Sequence, residues 1–114
     1  MPKTYESERY AIPFTHDQIA KRQVEATILS RIYNALKRAG NPVVSLWDGE
    51  ESSPVDSVGD VVHLAYNLDE FHLYTKSGAF VYFIMGQDYD GLTDYSVSLE
   101  DALQPVNDWM DAHM

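Results

Sequence analysis

The sequence predicts an α+β fold, with an antiparallel sheet of three to five strands packed against about three helices. Three observations support it. Val24, Ile28, Ile32 and Leu36 recur every four residues, the spacing of a helix with one apolar stripe. From Phe71 to Ser98 three β-rich runs follow one another, separated only by Ser77-Gly78 and by an Asp-rich turn; strands joined by tight turns pair antiparallel. Leu99, Ala102, Leu103, Val106, Trp109 and Met110 then restore a helical period. Grouped strands flanked by helices are the α+β pattern, and 114 residues suit a single domain over 1–114 with one core.

The elements follow in order. Residues 1–14 hold Pro2 and Pro13 and show no period; they predict an irregular N-terminal arm whose Tyr5, Tyr10, Ile12 and Phe14 could dock on the body. Thr15 opens a helix over 15–39 as its N-cap, with Gln18 three residues on as the capping-box partner. Leu29 and Ala35 widen the apolar stripe, and Lys37 and Arg38 complement the negative end of the helix dipole. Gly40 closes the helix and Pro42 prevents its resumption.

Residues 43–98 predict the sheet with one helix inserted. Val43–Trp47 is a short β-rich run closed by Asp48-Gly49, a hairpin dipeptide. EESSPVDS follows as a loop or at most a frayed edge strand, because Pro54 has no N–H for a ladder. Over 57–68 two periods compete. Val58, Val61, Val62, Ala65 and Leu68 fit a helix, with Ser57 and Asp60 resembling a capping pair, while Val62, Leu64, Tyr66 and Leu68 alternate as a strand would. The helix is the preferred reading. Phe71, Leu73 and Thr75 alternate with Glu70, His72, Tyr74 and Lys76, a half-buried strand that turns at Ser77-Gly78. AFVYFIM is apolar on both faces, which predicts a central strand, and LTDYSVS returns as another. Ser98 with Asp101 is expected to cap the last helix, 99–113, and Pro105 to kink it or break it in two.

Eight Lys and Arg stand against eighteen Asp and Glu, a net charge of −10. The charge is divided. Up to Arg38 there are seven bases and four acids, net +3; beyond it Lys76 alone stands against fourteen acids, net −13. Such a surface keeps a small protein soluble and suits a basic partner. It disfavours direct nucleic-acid binding, which depends on Lys and Arg neutralising phosphates. The longest apolar run, Ala79–Met85, is far shorter than the roughly 20 residues of a membrane span, so no membrane partner is expected. The absence of cysteine excludes disulfides and thiolate chemistry, and MPKTYESERY has no apolar leader; together they predict a cytoplasmic protein.

Motifs narrow the chemistry further. GQDYDGLTDY, residues 86–95, invites a calcium-loop reading, but counted from Asp88 the fourth position is Gly91 and the twelfth is Leu99. A calcium loop needs Gly at the sixth position and a bidentate Glu at the twelfth. Asp90-Gly91 is instead a hairpin signal. His16, His63, His72 and His113 fall on different elements without metal-ligand spacing. Ser52 and Ser53 lack a nucleophile elbow, and no phosphate-binding glycine motif is present. KSGAFVYF matches the end of an RNA-binding strand pattern through Ala79, Phe80, Val81 and Phe83, but Ser77 and Gly78 replace its glycine and first aromatic residue.

Ser45, Asp48, Gly49, Glu50 and Glu51 form one block, Asp69, Glu70 and Leu73 a second, and Gly86, Asp88, Asp94 and Tyr95 a third. With LEDALQPVNDW after them, these residues resemble, over 43–109, a family of small acidic proteins of phage and prophage genomes. That family's pattern is S-V-x-D-G-E-E, a helix, D-E-x-x-L, an aromatic-rich strand ending G-N-D-G-D, and I-x-D-Y before a final helix. The chain departs from it at Gln87 and Tyr89 and in the Ser/Pro-rich stretch, where the family carries another strand. The resemblance implies a helix at 57–68 and a phage accessory role in bacteria, and supplies no catalytic residue.

The sequence therefore yields no catalytic residue, no cofactor site and no metal site. The leading expectation is a non-enzymatic protein-interaction module whose acidic sheet-side surface meets a protein partner. Asp48, Glu50, Glu51, Asp88, Asp90 and Asp94, all at predicted turns, are its contact residues. A sharper form is a nucleic-acid mimic that occupies the basic groove of a host protein. Two alternatives stand beside it. One is a small metal-dependent enzyme using the same carboxylates with a histidine. The other is an oligomeric module, a homodimer included, in which the basic first helix of one chain meets the acidic body of another with apolar help from Tyr33 or Trp109.

Overall fold

Helix α1 (His16–Arg38) carries the stripe that the spacing predicts: Ile28, Leu29, Ile32, Ala35 and Leu36 are buried and Val24 partly so. It ends where Gly40 takes a φ of +78°, a conformation that costs a side-chain-bearing residue. The Asn41 N–H returns to the Leu36 carbonyl at 3.0 Å and the Gly40 N–H to that of Lys37 at 3.1 Å, the paired bonds of a Schellman closure. The structure, a computed structural model, describes residues 16–66, 68–84 and 92–113, without the side chains of 16–22 and Thr93. The arm 1–14, Thr15, the Gln18 side chain and residues 86–91 of the Asp-rich turn lie outside the described residues.

Five strands form one antiparallel sheet: β1 (Val43–Trp47), β2 (Ser52–Pro54), β3 (Glu70–Thr75), β4 (Phe80–Ile84) and β5 (Leu92–Tyr95), in the order β2-β1-β3-β4-β5. Pro54 sits in the three-residue edge strand, where its missing N–H removes no interior ladder bond. The β1–β2 turn is closed by Asp48, whose Oδ1 accepts the N–H groups of Glu50 and Glu51 at 2.8 Å each. Gly49 supplies the positive φ there, +105°. At the other end of the sheet, Asn41 links the helix exit to the β3–β4 turn: its Nδ2 donates to Ser77 Oγ at 2.9 Å and its Oδ1 accepts the Ser77 N–H at 3.0 Å.

Residues 57–68 resolve as α2 (Val58–Ala65). Ser57 Oγ accepts the Asp60 N–H at 3.1 Å, and Asp60 Oδ2 reaches back to the Asp56 N–H at 3.1 Å, so the capping pair forms with its carboxylate displaced by one residue. Val61, Val62 and Ala65 turn inward. α3 (Glu100–His113) completes the helical layer through Leu103 and Val106.

Three expectations need correction. α3 does not start from a Ser98–Asp101 cap; a 3-10 turn over Val97–Leu99 feeds it, and neither side chain makes a capping bond. Pro105 does not break α3, which runs as one helix. Pro105 and Asp101 are both exposed, so the carbonyl that loses its N–H partner can be hydrated, while buried Leu103 and Val106 hold the segment down. β4 is flanked by strands on both sides, as a central strand should be, yet only one of its faces is buried.

That last point sets the architecture. Val43, Leu46, Phe71, Leu73, Val81, Phe83 and Leu92 join residues of all three helices in a single core cluster. The alternate positions of β3 and β4 take no part in it. The molecule has two layers, with the helices on one face of the sheet and no described element over the other.

Candidate functional site

The uncovered face is built by the period of two along each strand. With Leu46, Phe71, Leu73, Val81 and Phe83 pointing inward, Trp47, His72, Tyr74, Phe80 and Tyr82 must point outward. Register then aligns them. Trp47 pairs with His72, His72 with Tyr82 and Tyr82 with Asp94, one continuous row across four strands; Tyr74 pairs with Phe80 in the next row.

His72 is the hub. Its ring stacks on Tyr82 with centroids 4.7 Å apart and planes at 15°, and on Tyr74 at 6.1 Å and 16°. Trp47 and Phe80 meet it tilted, at 5.4 and 5.8 Å. The rings half-bury one another and still leave a broad aromatic surface in solvent; Trp47 is 36% exposed. The Tyr82 hydroxyl donates to Glu70 Oε2, which pins the ring over His72. This bond to a carboxylate, more than burial or the nearby charge, raises the Tyr82 pKa above its ordinary value of 10.0.

Among the described residues, the predicted acidic side chains stand apart rather than in one patch. Asp48 has its carboxylate turned into its own hairpin. Glu50 and Glu51 are exposed beside it, at the β1–β2 end of the face. Asp94 lies exposed on β5, its Oδ1 accepting the N–H of Tyr95 at 2.8 Å. From β1 to β5 is three strand spacings, about 14 Å, so these carboxylates bracket the aromatic row from opposite sides. Glu70 adds a carboxylate within the face. Asp88 and Asp90 lie outside the described residues.

Among the described residues no group of three or more His, Asp or Glu side chains could hold a metal ion. The described side chains of His63, His72 and His113 lie on α2, β3 and α3; that of His113 stacks on Trp109 at 4.5 Å. Of the two residues nominated for an oligomeric contact, Tyr33 is buried and Trp109 is partly buried. Tyr33 is 5% exposed in the core, and Trp109 is covered by His113 and by the Arg31 guanidinium, 4.5 Å from its ring centre. No described helix is long and apolar enough to cross a membrane.

The alternation of β3 already sets His72 and Tyr74 opposite Phe71 and Leu73, but AFVYFIM, read as apolar on both faces, does not mark Phe80 and Tyr82 as outward. The usable signal was finer: in EFHLYT and FVYFI the residues between the inward Phe, Leu and Val positions are His, Tyr and Phe. Two of these types carry a polar tip, which suits a wet face. No protein-family model, curated protein or solved structure matches the chain.

Proposed function

We propose that this chain is a non-enzymatic protein-interaction module whose contact surface is the open sheet face, and that its partner presents a cationic segment. The observation that carries the reading is the His72-centred cluster of aromatic rings bracketed by Glu50, Glu51, Glu70 and Asp94. Exposed aromatic faces attract Lys and Arg by about 0.5–1 kcal/mol each, more when desolvated. Tyr and Trp are the residue types that most often dominate binding energy. Beyond Ala39 the chain has one base, Lys76, so little on this side repels a cation.

Size favours a segment over a second copy. A face about 20 Å across and about 17 Å along presents roughly 350 Å², less than half the roughly 800 Å² per partner of a standard interface. Among the described residues the carboxylates stand apart with aromatic rings between them, which does not favour the mimic form. Single-stranded nucleic acid would stack on such rings, but Glu70 and Asp94 repel its phosphates. The resemblance to small acidic phage proteins is compatible with an accessory binding role.

Calorimetric titration with a short oligoarginine peptide, an oligoglutamate of equal length and a single-stranded oligonucleotide tests the reading. Saturable binding of the first alone, weakened about tenfold, or about 1.4 kcal/mol, in the charge-neutral variant Trp47→Ala, supports it. Binding unchanged by Trp47→Ala would reduce the interaction to net charge and refute the surface.

A further inference from the structure

A second feature lies on the helical side, away from the sheet face. α1 and α3 border an open cleft of about 370 Å³, lined chiefly by Ser30, Arg31, Asn34 and Arg38 from α1 and by Pro105 and Val106 from α3. Its volume is that of a small-molecule site. In a chain of net charge −10 the cleft gathers two arginines, and among the described residues neither makes an ion pair. We infer that this cleft binds a small molecule through an oxyanion, a phosphate or carboxylate group held between Arg31 and Arg38.

The geometry is specific. Arg31, Asn34 and Arg38 follow one another by three and four residues, so they share one stripe of α1. The arginines are offset by a rise of about 10.5 Å, which two long side chains can close around one group. The Arg31 guanidinium lies over the Trp109 ring at 4.5 Å from its centre, a cation–π contact that steadies a group able to bind an oxyanion through two N–H groups. Ser30 and Asn34 add a hydroxyl and an amide that make no hydrogen bond among the described residues. Thr27, at the cleft's end, gives its proton to the Gln23 carbonyl at 3.0 Å and offers no donor.

The α3 wall is different in kind. Pro105 has no N–H and Val106 is apolar. Asp101 and Asp108 flank Pro105 at helical spacing, and Asp108 Oδ1 already accepts the Gln104 amide at 2.8 Å. Anions are thereby pushed toward α1, where every donor lies. The apolar part of a ligand would rest on Pro105 and Val106.

Trp109 supplies the readout. In a Trp47→Phe background its fluorescence is followed while inorganic pyrophosphate or citrate is added at constant ionic strength, with sodium chloride as the control. A saturable change with either probe, absent with chloride, is expected; the probe that binds assigns phosphate or carboxylate. Arg38→Gln should weaken it about tenfold, the worth of one charge-assisted hydrogen bond. Arg38 is the decisive variant because Trp109 is stacked by Arg31 and not by Arg38, so its loss reports the ligand and leaves the ring's packing alone. No saturable response by about 10 mM, a concentration that still detects millimolar affinity, overturns the proposal, as does a response that Arg38→Gln leaves unchanged.

Discussion

The Tyr82 hydroxyl donates to the Glu70 carboxylate across the β3–β4 pair, and the same tyrosine ring lies 4.7 Å from that of His72. One hydrogen bond therefore orients the ring on which the aromatic face is organised. Because Glu70 favours the protonated phenol, the folded Tyr82 pKa is raised. Such a group contributes stability that is fully present below its unfolded pKa and lost as pH rises through the higher folded one. Glu70→Gln should bring one phenol back toward 10.0, read as a phenolate absorbance difference between wild type and variant on alkaline titration. Superimposable titration curves would show that the bond does not persist in solution.

The N-terminus of α2 gives a second pH dependence. The Asp56 N–H bonded to its carboxylate holds the Asp60 pKa down, while hydrogen bonding to Asp60 pushes the Asp56 pKa up. Asp60 therefore contributes stability that is present above 3.8 and lost as pH falls through its lowered pKa. Asp56 contributes only below 3.8 and loses that contribution as pH rises through its raised pKa. The Asp60 charge also disfavours ionised Asp56, so Asp56→Asn should raise the melting temperature at neutral pH. Ser57→Ala, which removes the cap, should lower stability by about 1 kcal/mol in urea unfolding.

A pair of phenylalanines tests the two-layer arrangement. Phe83 is fully buried between sheet and helices, and Phe80 on the same strand faces outward and is half-buried. Phe83→Ala should cost about 3–5 kcal/mol. Phe80→Ala should cost less than half of that, since much of its ring is already in water. Equal losses in chemical denaturation would mean that the outer face is covered.

The carboxylates of the β1–β2 turn should separate into two kinds. Asp48 Oδ1 holds two backbone N–H groups, so Asp48→Ala should destabilise the fold by about 1 kcal/mol through loss of net hydrogen bonding. Glu50→Lys and Glu51→Lys should leave the melting temperature nearly unchanged, since both side chains are exposed. Capture of a cationic peptide should fall in the glutamate reversals at unaltered stability. If Asp48→Ala proves neutral, its carboxylate belongs with the other two.

Much of this protein could be read from local pattern. The stripe Val24–Leu36, the Gly40 closure, the Ser57–Asp60 pair and the alternation of Phe71, Leu73 and Thr75 each act within a few residues, where period and capping chemistry are written directly in the chain. The α+β class followed from them. What local pattern could not decide was which side of β4 meets the helices. FVYFI is apolar but for the Tyr82 hydroxyl, a weak signal by itself, and the docking of α1, α2 and α3 on the Val81–Phe83 side is what leaves Phe80 and Tyr82 in solvent. Pro105 was misjudged for a related reason: its cost depends on whether the orphaned carbonyl is buried, and α3 turns that side outward. The His72 row and the Arg31–Arg38 cleft likewise exist only after strands distant in sequence have come into register and two helices have packed. Their causes are long-range contacts, and spacing along the chain carries no record of those.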